Sequence, residues 1–212
     1  SEREWHTLYE TEPCLPLRLD RYPNWPFRGM EGGGRIARHD QDHLILTVGD
    51  HGFNGYRFDP NYVDDPDASY GKTIRIRLDD GSAATYSSGH RNPQGLWIDS
   101  AESVWLTEHG PRGGDELNRI RQGNDYGWPT VTYGTDYGKQ VWPPNDRQGH
   151  HQSFTRPIFS WVPAIAPSNL LRVKGRLFNW WQDDFLLASL KSETLYRLRV
   201  TDNRVVIVES IA

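Results

Sequence analysis

Four short loops of this chain concentrate residues able to do chemistry. Gly89-His90-Arg91-Asn92-Pro93-Gln94-Gly95 packs a guanidinium, two amides and an imidazole between glycines, with Pro93 fixing the local backbone. So many donors suit a ligand bearing several carbonyl or carboxylate oxygens, although an Arg and an Asn can equally tie neighbouring parts of a fold together. Thr107-Glu108-His109-Gly110-Pro111-Arg112-Gly113-Gly114-Asp115-Glu116 contains a Gly-Pro pair whose backbone carbonyls face outward from a tight loop. That is an oxygen cage for a hard cation such as calcium, with Asp115, Glu116 and the later Asn124-Asp125-Tyr126 adding oxygens. The spacing is not that of an EF-hand, and a solvated acidic turn has the same composition. Gly49-Asp50-His51-Gly52 follows an apolar run directly, which sets a carboxylate and an imidazole at a strand end, or an Asp-stabilised turn. Lys191 falls at the tip of a hairpin, where a lysine is ordinarily solvated. His150-His151 are adjacent, lack a supporting Cys or HExxH pattern, and read as surface rather than as metal ligands.

The elements that must position these loops are short. Only 36% of the 212 residues are hydrophobic, yet 9 Trp, 10 Tyr and 7 Phe supply a core built from rings. With 20 Gly and 14 Pro, turns interrupt the chain too often for long helices. A net charge of -4 offers no basic surface for nucleic acid or an anionic membrane, and no run approaches the ~18 apolar residues of a membrane span. Cys14 is the only cysteine, so the sequence contains neither an internal disulfide nor a CxxC metal knuckle.

One pattern recurs. Thr73–Leu78, Leu117–Arg121 and Leu195–Val200 share an Arg-apolar-Arg centre, and the first and last alternate with a period of two. Each is preceded by a second apolar run: Leu44–Val48, Val104–Thr107 and Phe185–Ala188. The spacing of 44 residues from Arg75 to Arg119 is a propeller-blade period, whereas the 78 residues from Arg119 to Arg197 require a long insertion. That insertion holds Gly127-Trp128-Pro129, Trp142-Pro143-Pro144 and the polar run 145–152, all loop-like. The reading is all-β, a β-propeller with long loops gathered at one end. Three units are too few for a closed ring, so the chain is expected to be part of a larger propeller, with sheet faces and edges left uncovered by itself.

Together these clusters resemble the glucose/sorbosone dehydrogenase family, six-bladed propellers that use pyrroloquinoline quinone (PQQ) and calcium. The resemblance is carried by Gly34-Arg35-Ile36, Val48-Gly49-Asp50, Arg91-Asn92-Pro93-Gln94-Gly95, Glu108-His109-Gly110-Pro111, Gly114-Asp115-Glu116, Tyr126-Gly127-Trp128-Pro129, Ala166-Pro167-Ser168 and Ser189-Leu190-Lys191. It runs from about residue 31 to the end, which makes 31–212 the partial propeller and 1–30 a remnant of a preceding blade.

The resemblance implies that Arg91 and Asn92 bind the quinone, with Arg91 stabilising charge on the reacting carbonyl oxygen, Gln94 supporting the loop, and Tyr137 and Lys191 contacting the cofactor. It implies that Gly110 and Pro111 hold the catalytic calcium through backbone oxygens, that Glu116 and Tyr126 are ligands of a second calcium, and that Asp50 orients the base. Substrates would be sugars or alcohols, electrons would pass to an external acceptor, and the location would be periplasmic or secreted. Two departures stand out. Glu31 occupies the position, four residues before Arg35, where the family has its catalytic His. A further Arg-containing segment that the family places after a strand like Val205–Val208 is also missing. Like charge and burial would raise a carboxylate beside Asp50, while calcium and Arg91 would lower it; His51, His90 and His109 are the other imidazoles near these loops. The alternative is therefore a catalytically impaired, calcium-stabilised propeller that binds carbohydrate or protein.

Overall fold

The computed structural model describes residues 4–15, 27, 29–144 and 150–211. Among these residues, twelve strands form three four-stranded antiparallel sheets. The first contains β1 (Gly33–Arg38), β2 (His43–Val48), β3 (Lys72–Arg77) and β4 (Ala83–Ser87) in chain order. The second contains β5 (Pro93–Ser100), β6 (Ser103–Glu108), β7 (Asp115–Ile120) and β8 (Phe159–Trp161). The third contains β9 (Leu171–Arg172), β10 (Phe185–Ser189), β11 (Thr194–Thr201) and β12 (Arg204–Ile211), with one 3-10 turn at Asn179–Trp181.

The Arg-apolar-Arg segments fall in the third strand of every sheet, and the apolar runs before them in the second. Period-two alternation explains why: Ile74 and Ile76 are buried, while Arg75 is half-buried and Arg77 exposed on the opposite face. First strand β5 contacts both β1 and β9, so neighbouring meanders meet along their first strands as propeller blades do. Ile45, Leu96, Leu106, Ile120 and Tyr126 fill the space between the first two sheets, and Trp105, Leu117, Trp161, Phe185, Leu187 and Leu198 the space between the last two. Each such side chain contributes about 1.5–3 kcal/mol of burial.

The Arg91–Gly95 segment, read as loop, becomes strand at Pro93, where Pro93 pairs with Glu108 and Gly95 with Thr107. The long insertion carries the outer strand β8 and the inner strand β9, and is otherwise loop over its described residues; 145–149 lie outside them. Residues 4–15 contain no strand and lie against the first sheet, where Tyr9 and Leu15 join the cluster of Val48, Tyr70 and Ile74. Nearby, the Lys72 side chain is buried and its ammonium donates to the carbonyls of Tyr62, Val63 and Tyr70 at 2.9, 3.1 and 3.1 Å. Burial lowers its pKa to about 8.

Candidate active site

At one end of the sheets, the turns following β2 and β6 and the approach to β5 converge. The Asp50 N–H donates to the Arg91 carbonyl at 2.8 Å, which fixes the Asp50 loop to the Arg91 segment. Gly49 permits the approach: a Cβ there would lie 1.7 Å from the Glu31 carbonyl oxygen. Glu31 itself has φ +55, a conformation that costs a non-glycine residue energy and holds its side chain over the loop.

The Arg91 guanidinium is almost fully buried. Its Nη1 donates to the carbonyls of Gly110 (2.8 Å) and His109 (3.3 Å), and its Nη2 to Glu31 Oε1. Arg57 Nη1 donates to the same Glu31 oxygen at 3.1 Å, so one carboxylate joins two guanidiniums. The Arg91 N–H donates to Glu108 Oε2 at 2.8 Å, while Glu108 Oε1 accepts from His90 Nδ1 and Asn118 Nδ2, both at 2.9 Å. Asn92 Oδ1 accepts from the Gln94 side-chain amide at 2.8 Å and from Gly33 N–H at 3.3 Å.

Asp50 is wholly buried. Its carboxylate accepts from Gly52 N–H (2.9 Å), Asn54 Nδ2 (2.8 Å) and the Trp128 indole (2.7 Å). Burial and then the Glu31 charge push its pKa up to about 7, against the opposing pull of Arg91 and the Gly52 and Asn54 donors. The adjoining cavity is walled by Tyr56, Trp128, Tyr137, Trp142 and Pro111, with Asn54, Arg57, Arg91 and Asp136 as its polar lining.

The three histidines near these loops are engaged elsewhere. His90 is fully buried between Ser87 Oγ (2.8 Å) and Glu108. His109 donates from Nε2 to the Pro167 carbonyl at 2.8 Å, and its Nδ1 faces the Asn92 amide. His51 bonds Nδ1 to the Met30 carbonyl at 2.8 Å and packs edge-on against Phe27 and Tyr70.

Two sets of oxygens bear on calcium. The Gly110 and Pro111 loop offers backbone carbonyls, of which that of Gly110 already accepts from Arg91. Asp115 does not add to this cage, because its oxygens take the N–H groups of Gly110 (3.0 Å), Ile165 (2.8 Å) and Ala166 (2.6 Å). The carboxylate instead clamps the loop onto the segment before β9. Deeper in, Glu116 and Glu108 share the Asn118 amide, and burial followed by the Glu108 charge raises the Glu116 pKa well above the ordinary range. The Asn118 Oδ1 beside them is buried without a hydrogen-bond partner. Two crowded carboxylates and an orphaned amide oxygen are a donor set that fits a hard divalent cation. Tyr126 lines the same cavity, but its phenol is committed to the Arg119 carbonyl (2.6 Å) and the Arg121 N–H (3.0 Å), leaving its main chain as the remaining donor. Among the described residues no three His, Cys, Asp or Glu side chains gather as metal ligands.

The structure thus brings Glu31, Asp50, Arg91, Asn92, Gln94, Gly110 and Pro111 together. Tyr137 stands at the cavity rim, 58% exposed. Lys191 is exposed on the β10–β11 tip, anchored by its N–H to the Ile165 carbonyl at 3.2 Å, and lines neither cavity. Sequence reasoning did not single out Asn54, Arg57 or the indole of Trp128. Asn54, four residues after Asp50 in a glycine-rich turn, carried a local signal, whereas Trp128 reaches Asp50 from 78 residues away.

The family model described as Glucose / Sorbosone dehydrogenase matches residues 20–212. A Synechocystis protein described as uncharacterized is 32% identical over 98% of this chain and 52% of its own length. An aldose sugar dehydrogenase of Escherichia coli is 30% identical over 84% of this chain and 50% of its own. The solved PQQ-bound form of aldose sugar dehydrogenase from Streptomyces coelicolor superposes with a TM-score of 0.62 at 26% identity, covering 85% of this chain and 48% of that one. The chain spans about half the length of the curated relatives it matches, and its three sheets correspond to half of a six-bladed ring.

Proposed function

The chain belongs to the glucose/sorbosone dehydrogenase family, and from that premise we propose that it forms part of an enzyme oxidising a sugar or alcohol hydroxyl with PQQ and calcium. The observation that carries this reading is the meeting of Arg91, Glu31 and the Gly110 carbonyl beside one aromatic-walled cavity. When bound, the quinone accepts hydride and calcium polarises its accepting carbonyl. Arg91 would supply a positive charge to the carbonyl oxygen on which negative charge grows, and its bonds to Glu108 and the Gly110 carbonyl fix it beforehand. Asn92, Gln94, Tyr137 and Lys191 would complete the quinone site, while Gly110 and Pro111, and Glu116 with the main chain of Tyr126, would hold the two calcium ions.

Glu31 takes the hydroxyl proton in this reading, since His51, His90 and His109 are all engaged elsewhere. Arg57 and Arg91 hold its carboxylate in place, and Asp50 lies near enough for the two carboxyl charges to oppose one another. Substrate is a small sugar or alcohol, an external acceptor reoxidises the quinone, and the location is periplasmic or secreted. Titration of the 212-residue chain with PQQ, with and without calcium, followed by dye reduction with aldoses tests the reading. Calcium-dependent binding is expected; no quinone binding at micromolar concentration overturns it.

The double ion pair on Glu31 favours a second reading, a calcium-stabilised propeller that binds carbohydrate or protein without turnover. Quinone binding with no dye reduction, unchanged in Glu31→Gln, would select it.

A further inference from the structure

We propose that Trp128 is a positioning residue whose single ring fixes Asp50 and Arg91 relative to one another. The proposal deepens the dehydrogenase reading and takes its kinetic meaning from it. The Trp128 indole Nε1–H donates to Asp50 Oδ2 at 2.7 Å, and the Arg91 guanidinium carbon lies over the same ring, 5.5 Å from its centroid. One edge of the ring therefore holds an anion while its face holds a cation.

The ring has little freedom of its own. Trp128 is buried, its backbone N–H donates to the Gly89 carbonyl at 3.1 Å, and its ring lies 4.8 Å from that of Trp142. Trp142 is in turn fixed by its indole donating to the Pro129 carbonyl at 2.7 Å and by a Tyr56 ring 4.9 Å away. The other donors to the Asp50 carboxylate, Gly52 and Asn54, belong to its own loop and move with it. Trp128 alone among these partners reaches it from the segment following the second sheet's third strand. The charged groups facing Asp50 are Glu31 from the segment before β1 and Arg91 from the segment before β5.

Trp128→Phe keeps the ring face and deletes the N–H; Trp128→Leu deletes both. Carbonyl-labelled aspartate NMR on the 212-residue chain, with Asp50→Asn to assign the signal, reads the Asp50 protonation midpoint without any quinone. Both variants are expected to raise it by about one pH unit, because a donor to the charged form is gone. The Arg91 Nε–H resonance is expected to keep its ring-current shift in Trp128→Phe and lose it in Trp128→Leu, with PQQ affinity falling about tenfold only in the latter. An unmoved Asp50 midpoint, or an Arg91 resonance indifferent to Trp128→Leu, overturns the proposal. Where the variants do not fold, the indole Nε1–H resonance of Trp128 in the unaltered chain must follow the Asp50 titration and move in Asp50→Asn; if it does neither, the proposal fails. Absence of quinone binding by the unaltered chain would defeat the dehydrogenase reading while leaving these quinone-free measurements decisive.

Discussion

Asp50 in the candidate site and Asp184, just before β10 of the third sheet, are both buried carboxylates, 0% and 1% exposed, yet their surroundings drive them in opposite directions. Burial pushes Asp184 up, but hydrogen bonds from Arg199 and Arg197 outweigh it and hold its pKa below the ordinary carboxylate range. Its oxygens accept from Arg197 Nε at 2.7 Å and Arg199 Nε at 2.8 Å. Asp50 accepts hydrogen bonds only from neutral donors, and the charge of nearby Arg91 is outweighed by burial and Glu31, so its pKa rises to about 7. Asp184, matched by two guanidiniums, ties the third sheet together, whereas Asp50, brought near neutrality by its surroundings, marks a place suited to proton chemistry.

The largest expected effect is at the candidate site. Glu31→Gln should lower aldose-dependent dye reduction by about 10²–10⁴-fold while leaving PQQ affinity nearly unchanged, measured by steady-state kinetics and quinone titration. At the third sheet, Asp184→Asn should cost about 1–3 kcal/mol at pH 7, because the half-exposed Arg199 loses its counterion and Arg197 is left with Glu209 alone. Thermal melts should show the loss shrinking in acid. Asp184 has a lowered folded pKa, so its contribution is present above the unfolded carboxylate range and disappears as pH falls through the folded value.

Asp50 should behave in reverse. Its folded pKa of about 7 lies above the ordinary 3.8, so its contribution is fully present below the unfolded value and lost as pH rises through about 7. Asp50→Asn should therefore gain stability relative to the parent chain between pH 5 and 8, by about 5 °C in melting temperature. A smaller effect concerns the crowded pair beside it: calcium should raise the melting temperature by a few degrees, and Glu116→Gln should abolish that rise.

Much of the fold was legible because it rests on local alternation. Ile74 and Ile76, alternating with Arg75 and Arg77, mark β3, and the same logic finds β11; β7, buried on both faces, shows only its Arg-apolar-Arg centre. The flanking strands were not legible: Ala83–Ser87 has little apolar periodicity, and Phe159–Trp161 and Leu171–Arg172 are too short to show any. At the site, the Arg91 and Gly110 loops declared themselves through composition. The role of Asp115 as a clamp did not, since nothing in a Gly-Gly-Asp-Glu run says that its oxygens will take N–H groups fifty residues away. Nor does a Gly-Trp-Pro turn reveal which carboxylate its indole will meet.

Lys72 gives the molecule a reporter of its own integrity. The other three lysines, Lys139, Lys174 and Lys191, are exposed, whereas this one is sealed beneath three carbonyls. An amine-reactive reagent should mark those three at once and spare Lys72 for as long as the segment joining β2 to β3 stays shut. The rate at which the fourth label appears in a mass spectrum thus measures how often that segment, which also carries Asn54 and Arg57, springs open.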